Sequence, residues 1–231
     1  MKYESAVENS ATRTLIKSDA HSQNAITAEM PVGKRILDLL IAIPALFVLS
    51  PFMLIVGLLI KLQDGGPTFF IHERRGENGM PFLCMKFRTM RTDAEAVLAH
   101  ILATNPDMAA EWEANQKFRR DPRITAFGHF LRKTSLDELP QLLNIIRGEM
   151  SVVGPRPIVE DEVKRYGEYI AQYDAMRPGV TGLWQVSGRS ETTYDERVQM
   201  DVQYFENMSV QEDLRILFLT IPAVLSSRGA C

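Results

Sequence analysis

Asp137 and Glu138 stand side by side, just downstream of Arg132 and Lys133 and within an apolar pattern that recurs at Leu136, Leu139, Leu143 and Ile146. A carboxylate with cations close by stays ionised at neutral pH, which a nucleophile needs. A second carboxylate beside it can share a divalent ion. Hard oxygen donors of this kind suit magnesium, or manganese in its place, usually with phosphate oxygens of a substrate completing the shell. Neighbouring residues of a helix point about 100° apart, so one acid can face a cleft while the other is occupied elsewhere.

The alternative role for these acids is structural. Ser135-x-x-Glu138 has the spacing of a capping box, and acids in a first turn complement the helix dipole. That role accounts for Glu138 but asks nothing of Asp137. Arg156, set between Pro155 and Pro157, is similarly two-sided: such turns are often purely architectural, yet they also fix a guanidinium where it can grip a phosphate with two parallel bonds. Arg189, in Gln185-Val186-Ser187-Gly188-Arg189-Ser190, lies in a polar turn with no evident packing purpose and is a further phosphate-site candidate. Other chemistries lack their residues. His21, His72, His100 and His129 show no ligand spacing, and Cys84 and Cys231 cannot make a zinc site. No GxGxxG, Walker A or Gly-x-Ser-x-Gly pattern occurs.

Any such site must be positioned relative to the long apolar run from Ile36 to Ile60. As a straight helix it would reach roughly 37 Å, against about 30 Å of bilayer hydrocarbon. Pro51 interrupts it, because it has no N–H for the Phe47 carbonyl and its ring pushes Ser50 away from helical geometry. A kink at Ser50-Pro51 leaves two arms of about 15–22 Å, each too short to cross alone. Lys34 and Arg35 flank one end and Lys61 the other, so charge bias favours sending neither end across. A hairpin that enters and leaves by one face and a Pro-kinked spanning helix both remain open on these residues alone. Asp38, near the entry, can stay at headgroup level or pair with Lys34 or Arg35.

The rest of the chain affords one compact domain. A net charge of −3 gives no general attraction to nucleic acid. The basic residues are nonetheless grouped, Arg74, Arg75, Lys86, Arg88 and Arg91 in one set and Lys117, Arg119, Arg120, Arg123, Arg132 and Lys133 in another, which suits either anionic lipid or a phosphorylated substrate. Two cysteines and no signal peptide predict a reducing, cytoplasmic setting for the bulk of the protein. Residues 1–32 read as a mobile polar tail, 33–62 as the membrane segment and 63–231 as the compact domain. Thr68–His72 and Pro81–Met85 predict a β-hairpin with a long loop. Thr92–Lys117 predicts two helices broken at Asn105-Pro106, Ser135–Gly148 an amphipathic helix, and Val159–Met176 a helical stretch. Leu214–Leu225, about 18 Å as a helix, is too short to span and must pack in the core or lie at an interface.

Taken in order, Lys86-Phe87-Arg88-Thr89-Met90, Asp121-Pro122-Arg123-Ile124-Thr125, Leu131 to Gln141, Gly154-Pro155-Arg156-Pro157, Arg177 to Gly182 and Gly188-Arg189 resemble the bacterial sugar transferases that are monotopic phosphoglycosyl transferases. The resemblance runs from about Lys34 to Gly229 and is strongest to the exopolysaccharide-production branch, which primes with a hexose 1-phosphate. It implies an α-rich α+β protein with an N-terminal re-entrant hairpin broken at Ser50-Pro51. It also implies one cytoplasmic catalytic domain with a small β-hairpin, at the inner membrane. The reaction implied is transfer of a sugar 1-phosphate from a UDP-sugar, UDP-galactose or UDP-glucose, to undecaprenyl phosphate with release of UMP. Carried over by position, Asp137 is the nucleophile, Glu138 its dyad partner and magnesium the cofactor that both hold. Lys86, Arg88, Arg132, Arg156, Pro157, Gln185 and Arg189 fall around the substrate, and a homodimer is compatible. Two rival readings of the same residues are a membrane-tethered assembly protein that binds anionic lipid or export partners, and a metal-dependent hydrolase of lipid diphosphates using activated water.

Overall fold

The computed structural model describes residues 31–115, 118–188 and 192–225; most of the expected tail, together with Lys117 and Arg189, lies outside them. Helix α1, Val32–Asp64, contains the apolar run and extends it at both ends. It is long and apolar enough to cross a membrane, and little of its apolar stretch is buried. The helix continues through Ser50-Pro51, so the expected departure of Ser50 from helical geometry does not occur. The Phe47 carbonyl that Pro51 leaves without an N–H accepts a hydrogen bond from Ser50 Oγ at 2.9 Å, which removes the local penalty.

Helix α1 buries one face near each of its ends and is exposed between them. Lys34, Asp38 and Ala42 are buried on the first arm, and Val56 and Ile60 on the second. Phe47, Val48 and Leu54, in between, are among the most exposed apolar side chains of the protein. The expectation that Asp38 stays at headgroup level or pairs with a neighbouring cation is corrected. Asp38 Oδ1 accepts from Ser151 Oγ and from the Val152 N–H, each at 2.8 Å. Lys34 Nζ donates to the Val153 carbonyl at 2.7 Å and to Tyr204 Oη and Asp213 Oδ2 at 2.8 Å. These flanking charges are spent inside the protein, where burial would be costly without such partners.

The expected hairpin is present and longer than the apolar runs indicate. Strands β1, Phe69–Arg75, and β2, Pro81–Phe87, pair antiparallel, with Phe70 opposite Lys86 and His72 opposite Cys84. Helices α2, Ala94–Thr104, and α3, Pro106–Asn115, break where Asn105-Pro106 predicts. Helix α4, Ala126–Lys133, leads to a single 3₁₀ turn at Leu136–Glu138, and α5, Gln141–Arg147, follows Pro140. The predicted continuous helix from Ser135 is therefore two pieces, and its apolar residues serve two cores. Leu136 and Leu139 join Val56, Ile60, Phe87 and Leu131, whereas Leu142, Ile145 and Ile146 join Ala42, Met150 and Val153.

A parallel pair of short strands, β3 (Ser151–Val153) and β4 (Gly179–Thr181), carries no sequence signal, since three residues cannot display an alternation. Between them the expected helical stretch is broken into α6, Val163–Tyr166, and α7, Ile170–Asp174, with 3₁₀ turns at Glu160–Glu162 and Gly167–Tyr169. Gly167 interrupts it with a φ of 54°. Helices α8, Leu183–Ser187, α9, Tyr194–Asn207, and α10, Val210–Leu225, complete the described chain. The last of these packs into the core through Ile216, which is fully buried, while Phe218 and Ile221 are exposed.

Candidate active site

Asp137 sits on the 3₁₀ turn between α4 and α5, a consequence of how α4 ends. Ser135 adopts a φ of 57°, a left-handed conformation uncommon for a residue with a side chain, and reverses the chain there. Its hydroxyl makes no cap, so the expected capping box is absent. Glu138 is instead held by Lys86 Nζ, which reaches across from β2. Leu136 and Leu139, on either side of the acids, pack into the core shared with the second arm of α1. The acidic turn thus rests on the membrane-type helix itself.

Asp137 is buried, and its carboxyl titrates at about 6. Burial is the main cause; Glu138 adds to the rise, and Lys86 and Arg132 oppose it. Arg132 comes from the last turn of α4 and donates from Nε to Thr89 Oγ1 at 2.9 Å. That helix can approach closely because Gly128 faces the Thr89 carbonyl, where a Cβ would lie 2.0 Å from the oxygen. Burial pushes the Arg132 guanidinium below its ordinary range, with Asp137 opposing.

These groups line one open cleft of about 2420 Å³, which also brings in Arg88, Arg156, Pro157 and Gln185. Arg156 follows β3 in a turn locked by glycine contacts. A Cβ on Gly154 would meet Arg177 O at 2.3 Å, and the Gly154 N–H donates to Thr181 O at 2.9 Å. The guanidinium of Arg156 lies 5.8 Å from the Trp184 ring centre and forms no ion pair among the described residues. Arg88 is differently employed. It pairs with Asp64 and donates to the carbonyls of Pro67, at 2.6 Å, and Met90, at 3.1 Å, which fixes the exit of α1. Of the basic groups read from sequence, Arg75 is also structural, held by Asp174 at 2.7 Å and Glu160 at 3.0 Å.

Sequence reasoning missed Trp184, Tyr194 and Arg197, which line the same cleft. Arg197 is buried with its guanidinium 5.0 Å from each of the two rings. The one hint was Tyr194 and Arg197 at a spacing of three on α9, a pattern common on helices and so uninformative by itself. Among the described residues no three His, Cys, Asp or Glu side chains gather as a metal cluster. Two adjacent carboxylates fit a magnesium ion that relies on substrate phosphates and water for its other ligands. Lys86 engages one oxygen of Glu138 and leaves the other for such a role.

The description of one protein family, bacterial sugar transferase, matches residues 29–227. The exopolysaccharide production protein ExoY of Rhizobium meliloti is 52% identical over 206 residues, covering 88% of this chain and 91% of its own. An undecaprenyl-phosphate galactose phosphotransferase of Salmonella typhimurium is 48% identical over 197 residues, 85% of this chain but 41% of that longer protein. A UDP-glucose:undecaprenyl-phosphate glucose-1-phosphate transferase of Caulobacter vibrioides is 39% identical over 206 residues, 85% of this chain and 71% of its own.

Proposed function

Because the chain belongs to the bacterial sugar transferase family and is a phosphoglycosyl transferase, we propose that it moves a hexose 1-phosphate from a UDP-sugar to undecaprenyl phosphate through a phosphosugar carried on Asp137. In the first step a carboxylate oxygen of Asp137 attacks the phosphorus that bears the sugar. The bond from that phosphorus to the bridging oxygen breaks, and UMP leaves with the electron pair. In the second step a phosphate oxygen of undecaprenyl phosphate attacks the same phosphorus and expels the Asp137 carboxylate, giving the lipid-linked sugar diphosphate. One site serves both substrates in turn, so ping-pong kinetics are expected.

The observation that carries this reading is the placement of Asp137: buried, flanked by Lys86 and Arg132, and seated on the core that α1 shares. With a pKa of about 6 the side chain is mostly ionised at neutral pH and more basic than an ordinary carboxylate. The cationic groups of the cleft offset the repulsion between an anionic nucleophile and a diphosphate. Magnesium, held by Asp137 and Glu138, would supply further charge neutralisation at the phosphates. An acceptor with a long prenyl tail stays in the bilayer, since each buried CH₂ holds it by about 0.8 kcal/mol, so the reaction belongs at the headgroup plane. We read α1 as a re-entrant helix that puts it there, entering and leaving by one face, because both of its ends pack on one body.

The test is to incubate detergent-solubilised protein with magnesium, undecaprenyl phosphate and UDP-sugars, with UDP-galactose and UDP-glucose first. UMP release and a labelled phosphosugar on the peptide containing Asp137 are expected, and Asp137→Asn should abolish both. An Asp137→Asn protein that turns over normally would overturn the assignment.

A further inference from the structure

Strand β3 is three residues long, and α1 hydrogen-bonds every one of them. Asp38 accepts from Ser151 Oγ and from the Val152 N–H, and Lys34 donates to the Val153 carbonyl. Lys34 and Asp38 lie one turn apart on the buried face of the first arm, so they act on the strand as a single two-point clamp. The residues that follow β3 are Gly154, Pro155 and Arg156. Little slack separates clamp from guanidinium: Gly154 is wedged against Arg177 and Gly179, Pro155 O accepts from the Gly179 N–H at 2.8 Å, and proline fixes its own φ. On the far side Lys34 also reaches Tyr204 and Asp213, which ties α9 and α10 to the same point.

We infer that Lys34 and Asp38 are positioning residues that hold the Arg156 turn at a fixed height relative to the apolar stretch of α1. This rests on the transferase reading above. The donor arrives from water and can adjust its approach. The acceptor phosphate is tethered to a chain lying in the lipid, so its height is set by the bilayer that α1 also senses. Loosening the clamp therefore costs the lipid acceptor its registry with the site while leaving donor chemistry largely intact.

The experiment compares full-length wild type with Asp38→Ala and with the double variant Lys34→Met/Asp213→Asn. The second removes both members of the Lys34–Asp213 ion pair together, which avoids stranding the Asp213 charge. Three readouts are taken on protein in vesicles: labelled phosphosugar formed on the enzyme, transfer to undecaprenyl phosphate in the bilayer, and transfer to a short, water-soluble prenyl phosphate. Amide exchange across residues 151–158 is followed as a measure that does not require activity. The expected result is near-normal adduct formation and near-normal transfer to the soluble acceptor, with transfer to the bilayer acceptor lower by on the order of tenfold to a hundredfold. Exchange should quicken in 151–158 and not in β1 or β2. Equal losses with both acceptors, no loss with either, or unchanged exchange at 151–158 would each overturn the inference. A wild type that forms no adduct overturns the underlying transferase reading instead, and in that case the exchange arm still decides whether the clamp exists.

Discussion

Asp137 is kept in an environment that raises its pKa to about 6, so the fold disfavours the charged form that the proposed first step uses. The sign follows from linkage: the stabilising contribution of the neutral acid is fully present below the ordinary aspartate pKa and is lost as pH rises through about 6. Asp137→Asn should therefore be inactive yet more stable than the parent at pH 8, by up to about 3 kcal/mol, with the difference vanishing toward pH 4. Denaturant unfolding at several pH values measures it. A second outcome concerns Lys86, whose charge holds the Asp137 pKa down. Lys86→Met should move the acid limb of the pH–rate profile to higher pH as well as lower the maximum rate.

At the scale of elements, the glycines that let strands and helices meet set the position of the arginines. Gly154→Ala places a methyl 2.3 Å from Arg177 O and should cost about 1–3 kcal/mol, seen as a lower melting temperature with loss of turnover. The hairpin and the pair of helices after it were legible in sequence because their apolar runs are bounded by Gly, Asn and Pro. The helix read from Ser135 was not, for a physical reason. Leucines at helical spacing record burial, and here the burial is shared between two cores, Leu136 and Leu139 serving one and Leu142, Ile145 and Ile146 the other, with the change at Pro140. The acids and the Pro-flanked arginine stood out as residue types in tight motifs. Trp184 and Arg197 did not, since their function comes from a juxtaposition across the fold.

For the whole molecule, the two arms of α1 belong to different cores of one body, with an exposed apolar middle between them. If the middle enters lipid, both ends remain on the side that holds the body. In a Cys231→Ser background, Pro31→Cys and Gln63→Cys should react with a membrane-impermeant maleimide from the same face of sealed vesicles. Labelling from opposite faces would exclude the re-entrant helix. Ser50→Ala should leave the Phe47 carbonyl without its partner in an apolar surround and lower stability by about 1–3 kcal/mol, read by thermal unfolding in micelles.

The bond between Lys34 and Asp213 joins residues 179 positions apart. During synthesis the first arm of α1 is made early, and its ammonium cannot meet the Asp213 carboxylate until the chain has grown by a further 179 residues. Contacts of such long range close late and slowly. The first arm of α1 is therefore seated only after residue 213 has been made, long after the apolar stretch that follows it in the chain.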